Sequence, residues 1–258
     1  MKATLIVLGS GTSMGVPTIG CDCSVCRSND PHDRRTRPSI LLKYNDRVVL
    51  IDTSPDFREQ AIRENIMQLD AVVYTHAHAD HILGLDDLRP LSFHRPSGKI
   101  PLYASERTAQ VIRTVFRYIF DSDYKYGGLA QVELNSIDRD AFELFGATFQ
   151  PVPILHGDAE IFGFRIGSCA YLTDFSTLPE QSYAMLENLD VVFLDALRHK
   201  PHPTHSTVDN SLRIVDRLKP KRAFFTHICH DLPHQETNAT LPPNVRLAHD
   251  GLTLEFEI

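Results

Sequence analysis

Apolar residues in this chain come in short runs that stop abruptly at a polar side chain. In the first half these are ATLIVLG (3–9), SILLKY (39–44), RVVLID (47–52), AVVYTH (71–76) and PLYAS (101–105). The second half adds FQPVPILH (149–156), FGFRIG (162–167), CAYLTD (169–174), VVFLDA (191–196), AFFTH (223–227) and LTLEFEI (252–258). Their length, branched and aromatic content and polar boundaries predict β-strands. Three stretches place apolar residues three and four apart, the helical period. PDFREQAIREN (55–65) has an acidic start, SERTAQVIRTVFRYIF (105–120) opens on Ser-Glu, and TVDNSLRIVDRL (207–218) opens on a Thr cap and stops before Pro220. Strands dominate each half with helices between them, which predicts an α+β fold: sheet packed on sheet, helices outside, as one domain over residues 1–258. The stretch from Phe120 to Asp140 has the least regular pattern and is expected to be a loop or lid.

Bulk composition narrows the partners. Of 258 residues 42% are hydrophobic and 23% charged, ordinary for a soluble protein with a real core. A formal charge of −7 argues against broad electrostatic capture of nucleic acid or of an anionic membrane. The opening MKATLIVLGSGTS carries an apolar run too short for a signal h-region or a spanning helix, and no longer run follows. The expected location is therefore cytoplasmic, where thiols stay reduced and clustered cysteines hold metal more often than disulfides. The sequence leaves the oligomeric state open, with a homodimer as the candidate assembly.

Histidine changes the picture. There are thirteen, against four methionines and no tryptophan, and they cluster. After AVVYT comes HAHADH, with His76, His78, Asp80 and His81. If the chain tightens into a turn there, His76 and His78 can meet one metal while Asp80 and His81 address a second. Imidazole with carboxylate suits zinc, iron or manganese rather than calcium. These four side chains cannot close two sites alone. His156, Asp174, Asp195 and His227 each end an apolar run, as His76 does, so they emerge along one edge of the sheets. His156, Asp174 and His227 are the candidate partners, and an aspartate such as Asp174 can bridge two cations about 3.5–4 Å apart. Asp52, also at a strand end, either orients a ligand histidine from behind or bonds its own Thr-Ser-Pro turn.

A second cluster, GCDCSVC (20–26), puts Cys21, Cys23 and Cys26 within six residues. A disulfide inside so short a segment is strained. Three thiolates on a tight loop at about 20–27 suit a structural zinc that needs a fourth ligand. THICH (226–230) offers both Cys229 and His230.

The THAHADH motif followed by single His, Asp and His positions resembles the metallo-β-lactamase superfamily, along nearly the whole chain. That resemblance implies a four-layer αββα sandwich with a dinuclear metal site. Carried over, His76, His78 and His156 would bind the first metal, and Asp80, His81 and His227 the second, with Asp174 bridging. The opening GSGTSMGVPTIGCDCSVC, the GLDDLRPL segment and RHKPHPTHSTVDNSL are similar to the PhnP-like branch, typified by the phosphoribosyl 1,2-cyclic phosphate phosphodiesterase of phosphonate breakdown. The resemblance implies His205 as that branch's extra active-site histidine, and a structural zinc on Cys21, Cys23, Cys26 and His230.

The activity so implied is hydrolysis of a small, cyclic ribose or nucleotide phosphodiester, using two divalent ions, manganese or zinc, and a water between them with its pKa lowered to near ~7. Asp80 counts with the catalytic groups, and His205 is the expected general acid or phosphate contact. A tRNA 3′-processing endonuclease shares the metal motif, but no long basic Gly/Pro-rich arm is visible here, nor any extended nucleic-acid surface. The synthesis protein B of coenzyme PQQ has a similar cysteine loop. A zinc-storage protein is the non-enzyme alternative, although ligands spread over separate strand ends suit a preorganised site better than a flexible tract.

Overall fold

The computed structural model describes residues 1–93, 95, 98–121 and 127–258. Among the described residues fourteen strands run in order: β1 (Lys2–Gly9), β2 (Ser39–Tyr44), β3 (Arg47–Ile51), β4 (Ala71–Val73), β5 (Ile100–Ser105), β6 (Val132–Ile137), β7 (Phe142–Leu144), β8 (Ala147–His156), β9 (Ala159–Ile166), β10 (Cys169–Leu172), β11 (Val191–Asp195), β12 (Arg222–Thr226), β13 (Val245–Leu247) and β14 (Thr253–Glu257). They form two seven-stranded sheets, β14-β1-β2-β3-β4-β5-β6 and β13-β12-β11-β10-β9-β8-β7.

The sheets repeat one another. In the first, β14, β1, β2 and β3 pair antiparallel, then β3, β4, β5 and β6 pair parallel. The second pairs β7 to β10 antiparallel and β10 to β13 parallel. No such duplication shows in the sequence, because strand pairing is a tertiary property and the two halves share no residue pattern.

Leu5, Val7, Ile40, Leu42, Val49 and Ile51 of one sheet pack on Phe149, Phe164, Tyr171, Phe193 and Phe224 of the other. The opposite face of the first sheet, with Leu8, Leu41, Leu50 and Val72, packs on Phe57, Ala109 and Ile112 of two helices. The outer face of the second sheet, with Leu172, Leu194 and Phe225, does the same with Val208, Ile214 and Val215. Strands buried on both faces read as continuous apolar runs rather than alternating ones, which is why those runs stood out. Helix, sheet, sheet, helix is the four-layer α+β sandwich.

The three expected helices form at Phe57–Arg63, at Glu106–Val115 with a short continuation Arg117–Phe120, and at Val208–Leu218. Ser105 caps the second by accepting from the Thr108 N–H. Thr207 caps the third by accepting from the Asn210 N–H, and Lys219, left-handed before Pro220, ends it. The expected loop or lid from Phe120 to Asp140 is corrected in part: Val132–Ile137 is strand β6, on the edge of the first sheet beside β5. Its mixed sequence VELNSI follows from that half-exposed edge position. The 122–126 part of that expectation lies outside the described residues. Among the described residues no helix is long and apolar enough to cross a membrane.

Candidate functional site

Parallel strands deliver their carboxyl ends to one side of a sheet, where open α/β sheets bind ligands. Asp52 follows β3, Asp174 follows β10 by two residues, Asp195 ends β11, His227 follows β12, and His156 ends β8. β4 stops at Val73, so His76 lies three residues beyond the strand rather than at its end. Asp52, Asp174 and His227 all adopt left-handed backbone, with φ of 65°, 59° and 57°. Such a conformation costs about 1–3 kcal/mol for a non-glycine residue and turns each side chain out of the strand toward the cluster.

Two groups of side chains result. The ligand atoms of His76, His78 and His156 lie within 4.8 Å of one another, as do those of Asp80, His81, Asp174 and His227. Asp174 also groups with His156 and His205, so it stands between the two sets. His81 Nε2 is 3.2 Å from Asp174 Oδ2 and 3.3 Å from Asp80 Oδ2. His227 Nε2 is 3.1 Å from Asp174 Oδ1 and 3.5 Å from Asp80 Oδ2. Zinc at about 2.0–2.2 Å from nitrogen and oxygen ligands, with tetrahedral angles, would set such edges at about 3.3–3.6 Å, close to these separations.

The imidazoles are aimed from behind. His81 Nδ1 donates to Asp52 Oδ2 at 2.7 Å, and His156 Nδ1 donates to the Thr204 carbonyl at 2.8 Å. The Thr75 hydroxyl donates to Asp52 Oδ2 at 2.8 Å, which leaves its oxygen to accept from His76 Nδ1 at 3.0 Å. Each Nδ1 so engaged fixes the tautomer whose Nε2 lone pair faces the cluster. Asp52 therefore sits behind His81, and its other oxygen accepts the Thr75 N–H at 2.8 Å. Gly84 lets the following turn close on this layer: a Cβ there would come within 2.0 Å of the Ser54 carbonyl.

A cation fits this arrangement on two observations. His76 Nε2, Asp80 Oδ2, His81 Nε2 and His227 Nε2 are buried with no hydrogen-bond partner among the described residues. Buried polar atoms seldom stay unpartnered unless they serve a ligand. The local field also selects positive charge. Burial by itself would lower the His81 and His227 imidazoles, but the Asp174 and Asp80 carboxylates override it. They hold His81 well above its ordinary value and push His227 up to about 10. His156, where burial prevails, is pushed down to about 4 and stays neutral, as a metal ligand must.

His205 lies at the rim of this cluster. Its ring stacks on that of His227 at 4.5 Å and meets His156 edge-on at 4.8 Å. Its Nδ1 is 2.7 Å from Oδ2 of the fully buried Asp195. Asp195 is among the strand-end residues in the sequence, but nothing in VVFLDA reveals a partner ten residues later. The Thr75 hydroxyl and the Thr204 carbonyl were missed for the same reason. His202 is also near, its ring 5.0 Å from that of His205.

The cysteine loop forms a separate centre. Cys21, Cys23 and Cys26 Sγ lie 3.2, 3.6 and 3.4 Å from His230 Nδ1. Tetrahedral zinc with bonds of about 2.3 Å to sulfur and 2.0–2.1 Å to nitrogen gives a sulfur–nitrogen edge of about 3.5 Å, so these four side chains fit that ion. Cys229 does not join them; its Sγ accepts the Asp231 N–H at 3.3 Å. Beyond these contacts to His230, the chain on either side of the loop is also tied to the His227 segment. Thr12 N donates to the Ile228 carbonyl at 3.1 Å and Ile228 N to the Ser10 carbonyl at 3.0 Å. Arg35, wholly buried and paired with Asp33 at 3.0 Å, donates to the Cys229 and Leu232 carbonyls at 2.9 and 2.6 Å. The Arg35–Asp33 pair had no sequence signal beyond two charges in a loop.

With this geometry in view, comparison with known proteins gives a consistent result. Residues 47–228 match the beta-lactamase superfamily domain. A crystal structure described as a new diphosphatase from the PhnP family is 63% identical, with a TM-score of 0.94 over 99% of this chain and 98% of that one. Zn(2+)-bound PqqB from Methylobacterium extorquens shares the fold at a TM-score of 0.78 and 21% identity, over 97% of this chain and 99% of that one. An octanoyltransferase of Porphyromonas gingivalis is 39% identical over 96% of this chain, which spans only 50% of that relative's length. The chain belongs to the beta-lactamase superfamily and, within it, to the PhnP family.

Proposed function

We propose that the protein is a metal-dependent phosphodiesterase that hydrolyses a small phosphodiester, such as a cyclic ribose or nucleotide phosphate, in a site for two divalent ions, manganese or zinc. The observation that carries this reading is the meeting of two ligand groups at Asp174 with the His205–Asp195 pair beside them. His76, His78 and His156 would hold one ion, Asp80, His81 and His227 the other, and Asp174 both. Bound divalent cations supply Lewis acidity, neutralising charge on phosphoryl oxygens and acidifying water. The chain's own residues do the rest. Asp52, Thr75 and the Thr204 carbonyl lock the ligand imidazoles in place. His205 stands at the rim with Nδ1 held by Asp195, so its Nε2 is free to give a proton to a departing oxygen or to bond the phosphate. Buried Asp195 fixes that orientation and stabilises the imidazolium, the task of the third member of a triad.

A second reading, hydrolysis of a diphosphate linkage, is favoured by the 63% identical relative described as a diphosphatase. Both place a phosphoryl centre against the same groups and differ in the leaving group, an alkoxide or a phosphate. Cys21, Cys23, Cys26 and His230 we assign to one structural zinc. We take residues 1–258 as one domain, a reading supported by the return of β14 to pair with β1, Lys2 opposite Glu257. A cytoplasmic location agrees with thiols gathered on a histidine rather than paired.

The test is turnover of bis(p-nitrophenyl) phosphate by metal-reconstituted protein, followed by a panel of cyclic diesters, linear diesters and diphosphates. Activity should vanish with chelator and return with Mn²⁺ or Zn²⁺. No chelator-sensitive turnover of any member would refute the hydrolase reading.

A further inference from the structure

Three of the metal-type imidazoles have Nδ1 held from behind, His76 by Thr75, His81 by Asp52 and His156 by the Thr204 carbonyl. His227 differs. It is fully buried, and its Nδ1 has no hydrogen-bond partner among the described residues. Its Nε2 faces Asp174 and Asp80, so Nδ1 carries the ring proton whenever Nε2 offers its lone pair to an ion. A buried N–H seldom stays unbonded.

Two more orphans stand beside it. Asp195 ends β11 and Thr226 ends β12, opposite one another in register and therefore on one face of the sheet. Asp195 gives Oδ2 to His205, but its Oδ1 is buried without a partner, and so is Thr226 Oγ1. One ligand-type atom from each of Asp195, His205 and His227 lies within 4.8 Å of the others. The His205 and His227 rings are nearly parallel, 12° apart with centroids at 4.5 Å.

We infer that Asp195 is a positioning residue for two histidines at once: Oδ2 holds His205, and Oδ1 holds the metal-type ligand His227 through one internal water that Thr226 also bonds. This rests on the two-ion reading above and goes beyond it. Two hydrogen bonds of about 2.8–3.0 Å meeting at a water span about 4.5–5 Å, which suits groups that are close but not directly bonded. Three partners are also the usual complement of a buried water. The donors and acceptors match, since the water accepts from His227 Nδ1–H and the Thr226 hydroxyl and donates to Asp195 Oδ1. The proposed proton donor and a ligand of the second ion then hang on one carboxylate. Their parallel rings follow from that, and so does a fixed spacing between the group that meets the leaving oxygen and the ion beside it.

Metal binding tests this without substrate, so the answer does not depend on which ester is turned over. Protein stripped by chelator is titrated with Zn²⁺ against a competing chelator, and ring-nitrogen NMR identifies the imidazoles that take the ion. In Asp195→Asn, with His205 kept on the remaining oxygen, the amide NH₂ faces a water that already accepts from His227 and Thr226. Affinity for the ion on His227 should fall about 10- to 100-fold. His205→Ala should leave that affinity unchanged, because Asp195 keeps its hold on His227. Thr226→Val, similar in volume, removes one partner of the water and should lower the same affinity by a smaller factor. Unchanged affinity in Asp195→Asn, or an equal fall in His205→Ala, would overturn the shared role. Should Asp195→Asn fail to fold by circular dichroism, an unchanged Thr226→Val would overturn it instead. Fewer than two ions taken up by wild-type protein besides the loop zinc would overturn the two-ion reading and this inference together. The expected affinities with no turnover of any ester would overturn the hydrolase reading alone.

Discussion

Asp52→Asn is the sharpest perturbation of the layer behind the metal-type cluster. Asp52 is fully buried and accepts three bonds, from Thr75 N, Thr75 Oγ1 and His81 Nδ1, at 2.8, 2.8 and 2.7 Å. Asparagine has nearly the same volume and tolerates the left-handed backbone found there, so packing and chain path are preserved. What changes is one acceptor, which becomes an NH₂ group. With the remaining oxygen kept on Thr75 N, that NH₂ faces the His81 Nδ1–H, and two donors meet. Either the bond is lost, at about 1.5–3 kcal/mol for a hydrogen bond to a charged group, or His81 changes tautomer and puts its proton on Nε2, where a ligand lone pair is needed. Losing a partner behind a ligand weakens metal binding by about 10- to 100-fold, or about 1.4–2.8 kcal/mol, so the two routes predict a similar loss. The assay is elemental analysis after dialysis against metal buffers, with the His81 ring tautomer followed by nitrogen NMR. Cation affinity on the Asp80, His81 and His227 side should fall by that factor, and the His76, His78 and His156 side should change less. Unchanged affinity on both sides, with the His81 tautomer retained, would refute the reasoning.

Three further outcomes follow from the same structure. His205→Ala should keep the metal content yet lower turnover by about 10²–10⁴-fold on substrates with poor leaving groups, and Asp195→Asn should approach that loss because it releases His205 Nδ1; unchanged rates on such substrates would remove the pair from the mechanism. Cys21→Ala should lose the loop zinc and also reduce activity, through His230, which the loop thiols contact and which lies three residues after His227, whereas Cys229→Ser should retain the zinc; elemental analysis beside kcat/KM distinguishes them. His234 is pushed down to about 4 by burial and by the neighbouring His32 and Arg35 charges. Its unfolded form binds a proton more readily, so the stability it contributes is complete above about pH 6.5 and declines as pH falls toward about 4. Urea midpoints at pH 7 and pH 5 should therefore converge in His234→Gln relative to wild type.

The cluster and the fold were legible to different degrees. HAHADH revealed itself because its ligand types are adjacent in sequence, and adjacency alone keeps them within one metal-type cluster. Three cysteines within six residues did likewise. The strands that stood out were those buried on both faces, since two apolar faces leave an unbroken run. β6, β7 and β13 escaped notice because β6 is a half-exposed edge strand and the other two have three residues each, too few to show a period. The role of Asp195 escaped because a hydrogen bond to His205 depends on where a loop returns, which no local pattern encodes.

By itself, then, the sequence determined the layered α+β architecture, the two clusters of ligand-type side chains and the strand-end positions that complete them. These follow from local rules: burial sets the run length of a strand, and side-chain chemistry sets which ion suits it. Only the tertiary structure decided that His230 rather than Cys229 meets the three thiols, and that Asp52 stands behind His81. It likewise paired Asp195 with His205. Each of these depends on the direction in which a side chain leaves its strand or turn. At Asp52 left-handed backbone sets that direction, as it does for Asp174 and His227 in the cluster itself.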